Sequence, residues 1–473
     1  MGTTMAHVAT PATAITLFDK IWRAHVIEAF PDDWALVHID RQLLHDMSGS
    51  RSFQELEARA LPAVQPQLSF ATPDHTVSSA PGRTAASAPL GLALERGAQS
   101  HRIRFFGLGE RGQGIVHVMG PELGVVLPGS TVICGDSHTC TNGALGAMAF
   151  GVGTSELTHA LATQTLMQRK PRNMRIRFNG GLAPRVSAKD MILHAIGKLG
   201  AAAGTGHAIE YAGPAVEALS VEARMTLCNL SIEMGARIGM VAPDEKVFAW
   251  LAGRRFAPAG PMLEAAVAHW RTLHSDDDAL FDREYVIDVT ELAPQLTWGT
   301  SPEHETAVTG TVPQDDEASD EGRRTAWREA RAYMGLAPGA RLEGQRIDRV
   351  FIGSCTNSRL EDLRAAAALL GNSRVAPHVE AWVVPGSEDT SRLARAEGLD
   401  EQFRAAGFQW REPGCSMCVA ANGETAAPGQ RVVSTSNRNF VGRQGPGVRT
   451  HLASPATAVA CALAGELADP RHV

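Results

Sequence analysis

Short runs of β-branched and apolar residues alternate with amphipathic stretches along this chain from Asp19 onward. Ser130 to Gly135 is one such run, and Arg349 to Gly353 is another. The second run is followed by an amphipathic stretch, Leu360 to Leu370, which we predict to be a helix. Repetition of strand, loop and helix is typical of parallel sheets with helices on both faces. The sequence therefore predicts an α/β fold.

Further local signals support the same pattern near the C-terminal end. His378 to Val384 and Gln430 to Val433 are predicted to be short strands. Ser358 and Glu361 have the S-x-x-E spacing of a capping box, and Asp362 adds negative charge to the first turn. These residues predict a helix that begins directly after Ser358.

Changes in composition predict how the 473 residues divide into domains. Ser301 to Arg324 is polar and acidic, which is typical of a solvated connection rather than a binding surface. A second boundary is expected near Pro184 to Lys189. The predicted segments are a loose N-terminal tail (1–14), three folded units (15–186, 187–310 and 326–473) and an acidic linker (311–325).

Charge and hydropathy limit the kinds of partner. The net charge is −7, which disfavours a protein that binds nucleic acid through a basic face. No run approaches the roughly 18 apolar residues of a membrane span, and Met1 to Lys20 lacks the features of a secretory signal. We therefore expect a cytoplasmic enzyme that contacts neither membranes nor nucleic acid, and whose cysteines serve as thiols or metal ligands.

Three cysteines form the clearest candidate for chemistry. Cys415 and Cys418 make a C-x-x-C pair, and Cys355 follows the predicted strand at Arg349 to Gly353. Such a pair is compatible with a redox site, half of a zinc site or an iron–sulfur site. Zinc would require a complete second half, and a thioredoxin-like pair would lie earlier, after a strand of a small βαβ unit. With three thiolates, a cubane cluster would keep one iron open to substrate.

The other four cysteines have less informative surroundings. Cys228 and Cys461 lie in apolar stretches and are predicted to be buried hydrophobic residues. Cys134 and Cys140 flank a polar motif, so either remains a possible fourth ligand, although the interpretation with three ligands is preferred.

Polar clusters adjoin several of the predicted apolar segments. In parallel sheets, functional sites collect beyond the carboxyl ends of the strands. Each cluster also has a simpler interpretation, such as a capped turn for an Asp-His step or a solvated helix edge for two polar residues four apart. Arg438 and Arg443 lie in a Gly- and Asn-rich loop that suits forked hydrogen bonds to carboxylates. The clusters are Asp74 with His75, Gly135 to Thr139 (including Asp136 and His138), Asn229 with Glu233, and Ser436 to Arg443 (including Asn437).

Taken in order, these motifs resemble the aconitase superfamily, and within it the large subunits of the bacterial isopropylmalate dehydratases. The resemblance extends from Asp19 to Ala468. The segments that carry it are Phe70 to His75, Gly114 to Pro121, Val132 to Glu156, Thr226 to Glu233, Gln295 to Pro302, Phe351 to Arg364, Pro413 to Ala420 and Ser434 to His451.

The resemblance implies a fold, a cofactor and a set of residue roles. It implies three α/β/α domains packed around a 4Fe-4S cluster on Cys355, Cys415 and Cys418, with one iron open to substrate. It implies that His75 with Asp74 protonates the leaving hydroxyl. The implied hydrogen-bonded shell consists of Asp136, His138, Glu156, Asn229 and Glu233, and the implied cluster and substrate contacts are Asn437, Arg438 and Arg443. In aconitase itself an aspartate occupies the position of Glu156.

The resemblance also implies a partner and a reaction. Aconitase has a mobile swivel domain, which a separate small subunit supplies in the isopropylmalate enzymes, and we expect this chain to lack that domain. The implied reaction interconverts 2- and 3-isopropylmalate, a hydroxy-dicarboxylate pair of leucine biosynthesis, by removal and re-addition of water. Alternatives are a related hydro-lyase acting on citramalate or homoaconitate, an RNA-binding protein regulated by its cluster, or a scaffold in which the C-x-x-C pair is a structural metal clip.

Overall fold

The computed structural model describes residues 14–473. The predicted tail, residues 1–14, lies outside the described residues except for Ala14. Within the described part, none of the helices combines the length and apolar character that crossing a bilayer requires.

Strands and helices follow one another along the chain as the sequence pattern predicts. The strands are β1 (Val26–Ala29), β2 (Trp34–His38), β3 (Arg41–Leu44), β4 (Ser69–Ala71), β5 (Arg104–Phe105), β6 (Thr131–Cys134), β7 (Met148–Gly151), β8 (Thr165–Arg169), β9 (Arg172–Asn179), β10 (His207–Ala212), β11 (Ile238–Met240), β12 (Arg283–Asp288), β13 (Gln295–Thr297), β14 (Glu305–Ala307), β15 (Arg349–Ile352), β16 (Glu380–Val383), β17 (Gln409–Trp410), β18 (Arg431–Ser434) and β19 (Arg449–Leu452). The α-helices are α1 (Leu17–His25), α2 (Ser48–Ala58), α3 (Pro89–Ser100), α4 (Val116–Glu122), α5 (Thr154–Thr163), α6 (Ala188–Leu199), α7 (Pro214–Ala218), α8 (Val221–Asn229), α9 (Glu245–Leu251), α10 (Pro261–Trp270), α11 (Glu321–Met334), α12 (Leu360–Ala367), α13 (Glu388–Ala396), α14 (Leu399–Ala406) and α15 (Pro455–Ala464).

Three parallel sheets form the framework, which confirms the predicted α/β class. The first has the order β5-β4-β3-β6-β7, the second β11-β10-β9-β12 and the third β17-β16-β15-β18-β19. All four residues of β6 and of β15 are buried, which explains the apolar runs that follow Thr131 and Arg349. Two antiparallel additions, β1-β2-β8 and the β13-β14 pair, were not expected from the sequence.

The hydrophobic core has two main parts. One is continuous from the first sheet to the second and includes Leu43, Val132, Ile176 and Ile209. The other packs the helices of the third sheet against Val350 and its neighbours. The first two sheets are therefore joined by shared apolar packing, whereas the third has a core of its own.

Local predictions in the third sheet are mostly confirmed, with one correction. The strands expected at Arg349 to Gly353, His378 to Val384 and Gln430 to Val433 are β15, β16 and β18, each within two residues of its expected ends. The capping box predicted at Ser358 and Glu361 is wrong by one residue.

The first turn of α12 is capped by a different pair of residues. Asp362 Oδ2 accepts a hydrogen bond from the backbone nitrogen of Arg359 at 3.0 Å. Glu361 Oε2 instead accepts from Ser220 Oγ at 2.6 Å, because a long-range partner competes for this carboxylate.

The predicted domain boundaries can be placed against these elements. Strand β9 precedes the boundary expected at residues 186 and 187, yet it pairs with β10 and β12, which follow it. The expected acidic linker, 311–325, contains a short 3₁₀ turn (Asp315–Glu317) and the first residues of α11. The division of the chain into domains stays a prediction.

Replacement of Gly143 by alanine is expected to destabilise the fold. A Cβ at this position would lie 1.8 Å from the carbonyl oxygen of Gly239 in β11, so the backbones must separate. Overpacking of this kind typically costs about 1–3 kcal/mol. Urea unfolding should show the loss for Gly143→Ala and little change for the control Gly181→Ala, where a Cβ meets nothing within 4 Å. Equal midpoints for the two variants would contradict the expectation.

The stability of the protein should depend on pH through His451. Its Nδ1 donates to the carbonyl oxygen of Thr297 at 2.6 Å, and its Nε2 accepts from Arg431 Nη1 at 2.8 Å, so the ring is neutral. Burial and the Arg431 charge lower the pKa of His451 to about 3.

In the unfolded chain His451 binds a proton below a pKa of about 6.5, whereas in the folded protein it binds one only near pH 3. The free energy of unfolding therefore falls as the pH drops from about 6.5 toward 3. Between pH 7 and pH 5, the free energy of unfolding should fall by about 2 kcal/mol more in the parent protein than in His451→Gln. Urea unfolding at both pH values measures the difference, and an equal fall in the two proteins would show that His451 is not responsible.

Candidate active site

Three buried cysteines lie together beyond the carboxyl edge of the third sheet. Cys355 follows β15, and Cys415 and Cys418 follow β17. The side chain of Asn437, which follows β18, lies between two of them: its Nδ2 donates to Cys355 Sγ at 3.4 Å, and its Oδ1 lies 3.9 Å from Cys418 Sγ. Cys355 and Cys415 belong to one buried cluster with Ile115 and Val118. Cys355 lies sixty positions before Cys415 in the sequence, yet the three cysteines lie together in the fold.

Unusual backbone conformations hold the two cysteine loops. Ser354, directly before Cys355, has a φ of 77°, and Ser416, directly after Cys415, has a φ of 50°. Residues other than glycine adopt this left-handed region only where the surroundings enforce it, and such strain is common at functional sites. The Ser354 hydroxyl also accepts a hydrogen bond from Cys418 Sγ at 3.2 Å, which ties the two loops together.

Nitrogen donors are directed at two of the sulfur atoms. Asn229 Nδ2 lies 3.2 Å from Cys355 Sγ, and Arg443 Nη2 lies 3.3 Å from Cys418 Sγ. Burial raises the pKa of Cys355 to about 12 and, together with the Asp74 charge, raises the pKa of Cys415 well above its usual value. Such thiols stay protonated unless a cationic centre replaces the protons. Three buried thiols with N–H donors at sulfur form a donor set that fits an iron–sulfur cluster.

A histidine held between two carboxylates adjoins the cysteines. Asp74 and His75 follow β4, and His75 Nδ1 lies 2.5 Å from Asp74 Oδ1 and 3.9 Å from Cys415 Sγ. Its Nε2 lies 3.1 Å from Asp136 Oδ2. Burial acts to lower the pKa of His75, but the Asp74 carboxylate and the other negative partners outweigh burial and raise it well above its usual value. Both ring nitrogens therefore face carboxylate oxygens, an arrangement that favours the charged form of the ring.

A series of polar contacts continues from Asp136 to Arg438. The backbone nitrogen of His138 donates a hydrogen bond to Asp136 Oδ1 at 2.6 Å, and His138 Nε2 lies 3.0 Å from Glu233 Oε1. Arg438 Nε donates to the same Glu233 oxygen at 2.8 Å. Although burial opposes ionisation, hydrogen bonds from the histidines hold the pKa of Asp136 well below its usual value. The pKa of Glu233 is lowered in the same way by His138 and Arg438.

Asn229 and Glu233 reach the site from different elements. Asn229 is the last residue of α8, and Glu233 lies in the following 3₁₀ turn, Leu230–Met234. The simpler interpretation, two polar residues four apart on one helix edge, is therefore wrong for this pair, because α8 ends at Asn229. Both side chains nevertheless contact site residues, Asn229 through Cys355 and Glu233 through His138.

Glu156 is the one predicted site residue that the structure does not bring to this group. Its carboxylate accepts hydrogen bonds from the backbone nitrogen of Gly153 at 2.9 Å and from Gln168 Nε2 at 3.1 Å. The bond from Gly153 caps the start of α5, and the bond from Gln168 ties the carboxylate to β8. Of the two cysteines considered as a fourth ligand, Cys134 lies in the core of the first sheet, and Cys140 Sγ donates to the carbonyl oxygen of Asn229 at 3.5 Å.

Three further residues of the site are not among those predicted from the sequence. Asp46 accepts from the backbone nitrogens of His75 at 3.0 Å and Thr76 at 2.7 Å. The ring of His45 stacks on that of His75 with centroids 4.2 Å apart, and His117 Nε2 lies 3.3 Å from Asp136 Oδ1. His45 and Asp46 directly follow β3, so the same strand-end signal could have found them. His117 lies inside α4 and has no comparable signal.

Comparison with known protein families shows the class of protein to which this fold and site belong. A model of the aconitase family (aconitate hydratase) matches residues 19–465, and the chain belongs to that family. It is 58% identical over 459 residues to 3-isopropylmalate dehydratase large subunit 1 of Bradyrhizobium diazoefficiens, and the match covers 96% of each chain. The crystal structure of Thermococcus kodakaraensis aconitase X (holo-form) aligns with 85% of this chain and 84% of its own, with 11% identity and a TM-score of 0.45.

Proposed function

We propose that this chain is the large, cluster-bearing subunit of a cytoplasmic 3-isopropylmalate dehydratase, a hydro-lyase that interconverts 2- and 3-isopropylmalate in leucine biosynthesis. The observation that carries the proposal is the contact between His75 and Cys415, with 3.9 Å between Nδ1 and Sγ. It places a proton donor beside the cysteine group, so an acid and a metal centre could act on the same hydroxyl group. The similarity to a dehydratase large subunit over nearly the whole chain supports this substrate class.

Cys355, Cys415 and Cys418 would hold a 4Fe-4S cluster, around which three α/β/α domains would pack. When bound, a cluster with one open iron supplies a Lewis acid for hydroxyl and carboxylate oxygens. The residues of the chain prepare its surroundings: Asn229, Asn437 and Arg443 donate hydrogen bonds to the sulfur atoms.

His75 would supply the proton for the departing hydroxyl. Hydroxide is a poor leaving group, so removal of water is helped by a proton donor that is still protonated at neutral pH and lies close to the substrate. The raised pKa of His75 keeps its ring protonated, and Asp74 fixes the ring through Nδ1. When water is added back, the neutral ring would accept the proton again, so one residue would serve both directions.

Arg438, Arg443 and Asn437 would contact the substrate carboxylates or hold the groups that do. Arg438 is held through Nε by Glu233, and its Nη2 donates to Ser137 Oγ at 3.0 Å. A guanidinium held on one edge can present its remaining N–H groups to a carboxylate in a forked arrangement. The base that removes the proton from the neighbouring carbon is assigned to a small subunit carrying the swivel domain.

Turnover measurements on anaerobically purified protein test the proposal. The chain with its small subunit should convert 2- and 3-isopropylmalate faster than citramalate or homoaconitate, and the chain alone should be inactive. Full activity without the small subunit would contradict the division of labour. Faster turnover of either other hydroxy acid would change the substrate. A salt-dependent gel shift with RNA by cluster-free protein that shows no turnover after reconstitution would instead favour an RNA-binding function.

A further inference from the structure

A second cavity lies away from the cysteine residues, at the amino-terminal edge of the second sheet. Its volume is about 670 Å³. Arg172 begins β9 and is paired in register with His207, which begins β10. Arg237 directly precedes β11, whose first residue, Ile238, is paired with Ala208 of β10. The starts of three adjacent parallel strands therefore place Arg172, His207 and Arg237 side by side in the lining of this cavity.

The charges of the lining residues leave a positive surplus. Lys170 is neutralised by Asp19, with 2.5 Å between nitrogen and oxygen. Arg169, Arg172 and Arg237 have no carboxylate oxygen within 4.0 Å among the residues that the structure describes. Arg237 donates to Gln168 Oε1 at 3.0 Å and to the carbonyl oxygen of Gly151 at 2.8 Å, and the Glu156 carboxylate acts on it from a greater distance. The lining contains one carboxylate, that of Asp33. Because three arginines outnumber the one acid of the lining, the cavity suits an anion with several oxygen atoms.

The side chain of His207 gives an independent indication of a ligand. This residue is only 2% exposed, and its Nδ1 lies 2.9 Å from the carbonyl oxygen of Thr205. Its Nε2 is buried and has no hydrogen-bond partner within residues 14–473. Buried polar atoms nearly always find a partner, so an orphaned ring nitrogen in the wall of a cationic cavity calls for one.

We propose that this cavity binds a phosphorylated small molecule, with the phosphoryl group held by Arg172, Arg237 and His207. A phosphoryl group offers several oxygen atoms, which matches several guanidinium donors better than one carboxylate does. The cavity is far larger than one phosphate ion, and Phe150 and Ile238 provide apolar wall for an organic part. The proposal is independent of the reaction at the cysteine residues.

Isothermal titration of the full-length chain in phosphate-free buffer tests the proposal with three probes: inorganic phosphate, glycerol 3-phosphate and AMP. Binding of either ester more tightly than inorganic phosphate supports a phosphorylated metabolite. Equal binding of inorganic phosphate supports phosphoryl recognition with free phosphate as the ligand. Absence of binding of all three at roughly 10 mM would overturn the proposal.

Variants locate the binding site. Arg172→Gln and His207→Asn should each weaken binding at least about tenfold, and Arg172→Lys should retain part of the affinity. Arg51→Gln removes an exposed arginine of α2 outside this cavity and should bind like the parent protein. Unchanged affinity in both Arg172→Gln and His207→Asn would overturn the proposal. Far-ultraviolet circular dichroism identifies any variant that fails to fold, and the other then decides.

Discussion

Replacement of Cys415 by alanine should abolish iron–sulfur loading and, with it, turnover. Cys415 is one of three proposed ligands, and it also lies 3.9 Å from the proposed proton donor, His75. Mutation of a residue that only supports a metal ligand typically lowers activity or metal affinity by about 10–100-fold. Loss of a ligand itself should therefore lower turnover by more than about 100-fold. Iron and sulfide content per chain, measured after anaerobic purification, and turnover with the small subunit give two separate measurements.

The same chain provides a matched control. Cys461 is a buried thiol within α15, and its Sγ accepts a hydrogen bond from the backbone nitrogen of Ala468 at 3.3 Å. Cys461→Ala should therefore retain iron, sulfide and turnover, because its surroundings belong to the core of the third sheet. If Cys415→Ala kept the iron and sulfide content of the parent protein, the proposed ligand set would be wrong.

The position of the site could be predicted because its residues follow strands. Asp74 follows β4, Asp136 follows β6, Cys355 follows β15 and Asn437 follows β18. In a parallel sheet these strand ends point to one edge, so a polar residue after an apolar run is a local signal of a site. Residues 41–46 show the same signal, which also indicates His45 and Asp46.

Contacts between distant segments could not be predicted from local patterns. The bond from Asn229 to Cys355 joins residues 126 positions apart, and no periodicity in either segment encodes it. Glu156 illustrates the same limit: the family resemblance suggested the site, but its carboxylate caps α5 and binds Gln168. The antiparallel β1-β2-β8 sheet escaped prediction because β8 pairs with a strand more than a hundred residues earlier.

Replacement of His75 by asparagine should lower kcat by about 10²–10⁴-fold, the usual contribution of a positioned general acid. Asparagine preserves polarity and approximate size but cannot deliver a proton at neutral pH. Iron and sulfide content should stay near that of the parent protein, because His75 is not among the proposed ligands. His194→Asn is a suitable control, since His194 interacts with Glu305 at 3.5 Å and belongs to none of the site contacts.

Replacement of Asp74 by asparagine tests whether Asp74 supports proton donation by His75 or only orients the His75 ring. Asp74 raises the pKa of His75, so the fall in dehydration activity at high pH should move to lower pH in Asp74→Asn. The asparagine oxygen can still accept from the backbone nitrogen of Val116, which Asp74 Oδ2 now does at 3.0 Å, so the loop should keep its shape. A pH profile of kcat decides between the roles. An unshifted basic limb with a uniformly lower rate would mean that Asp74 only orients the ring, and that another group donates the proton.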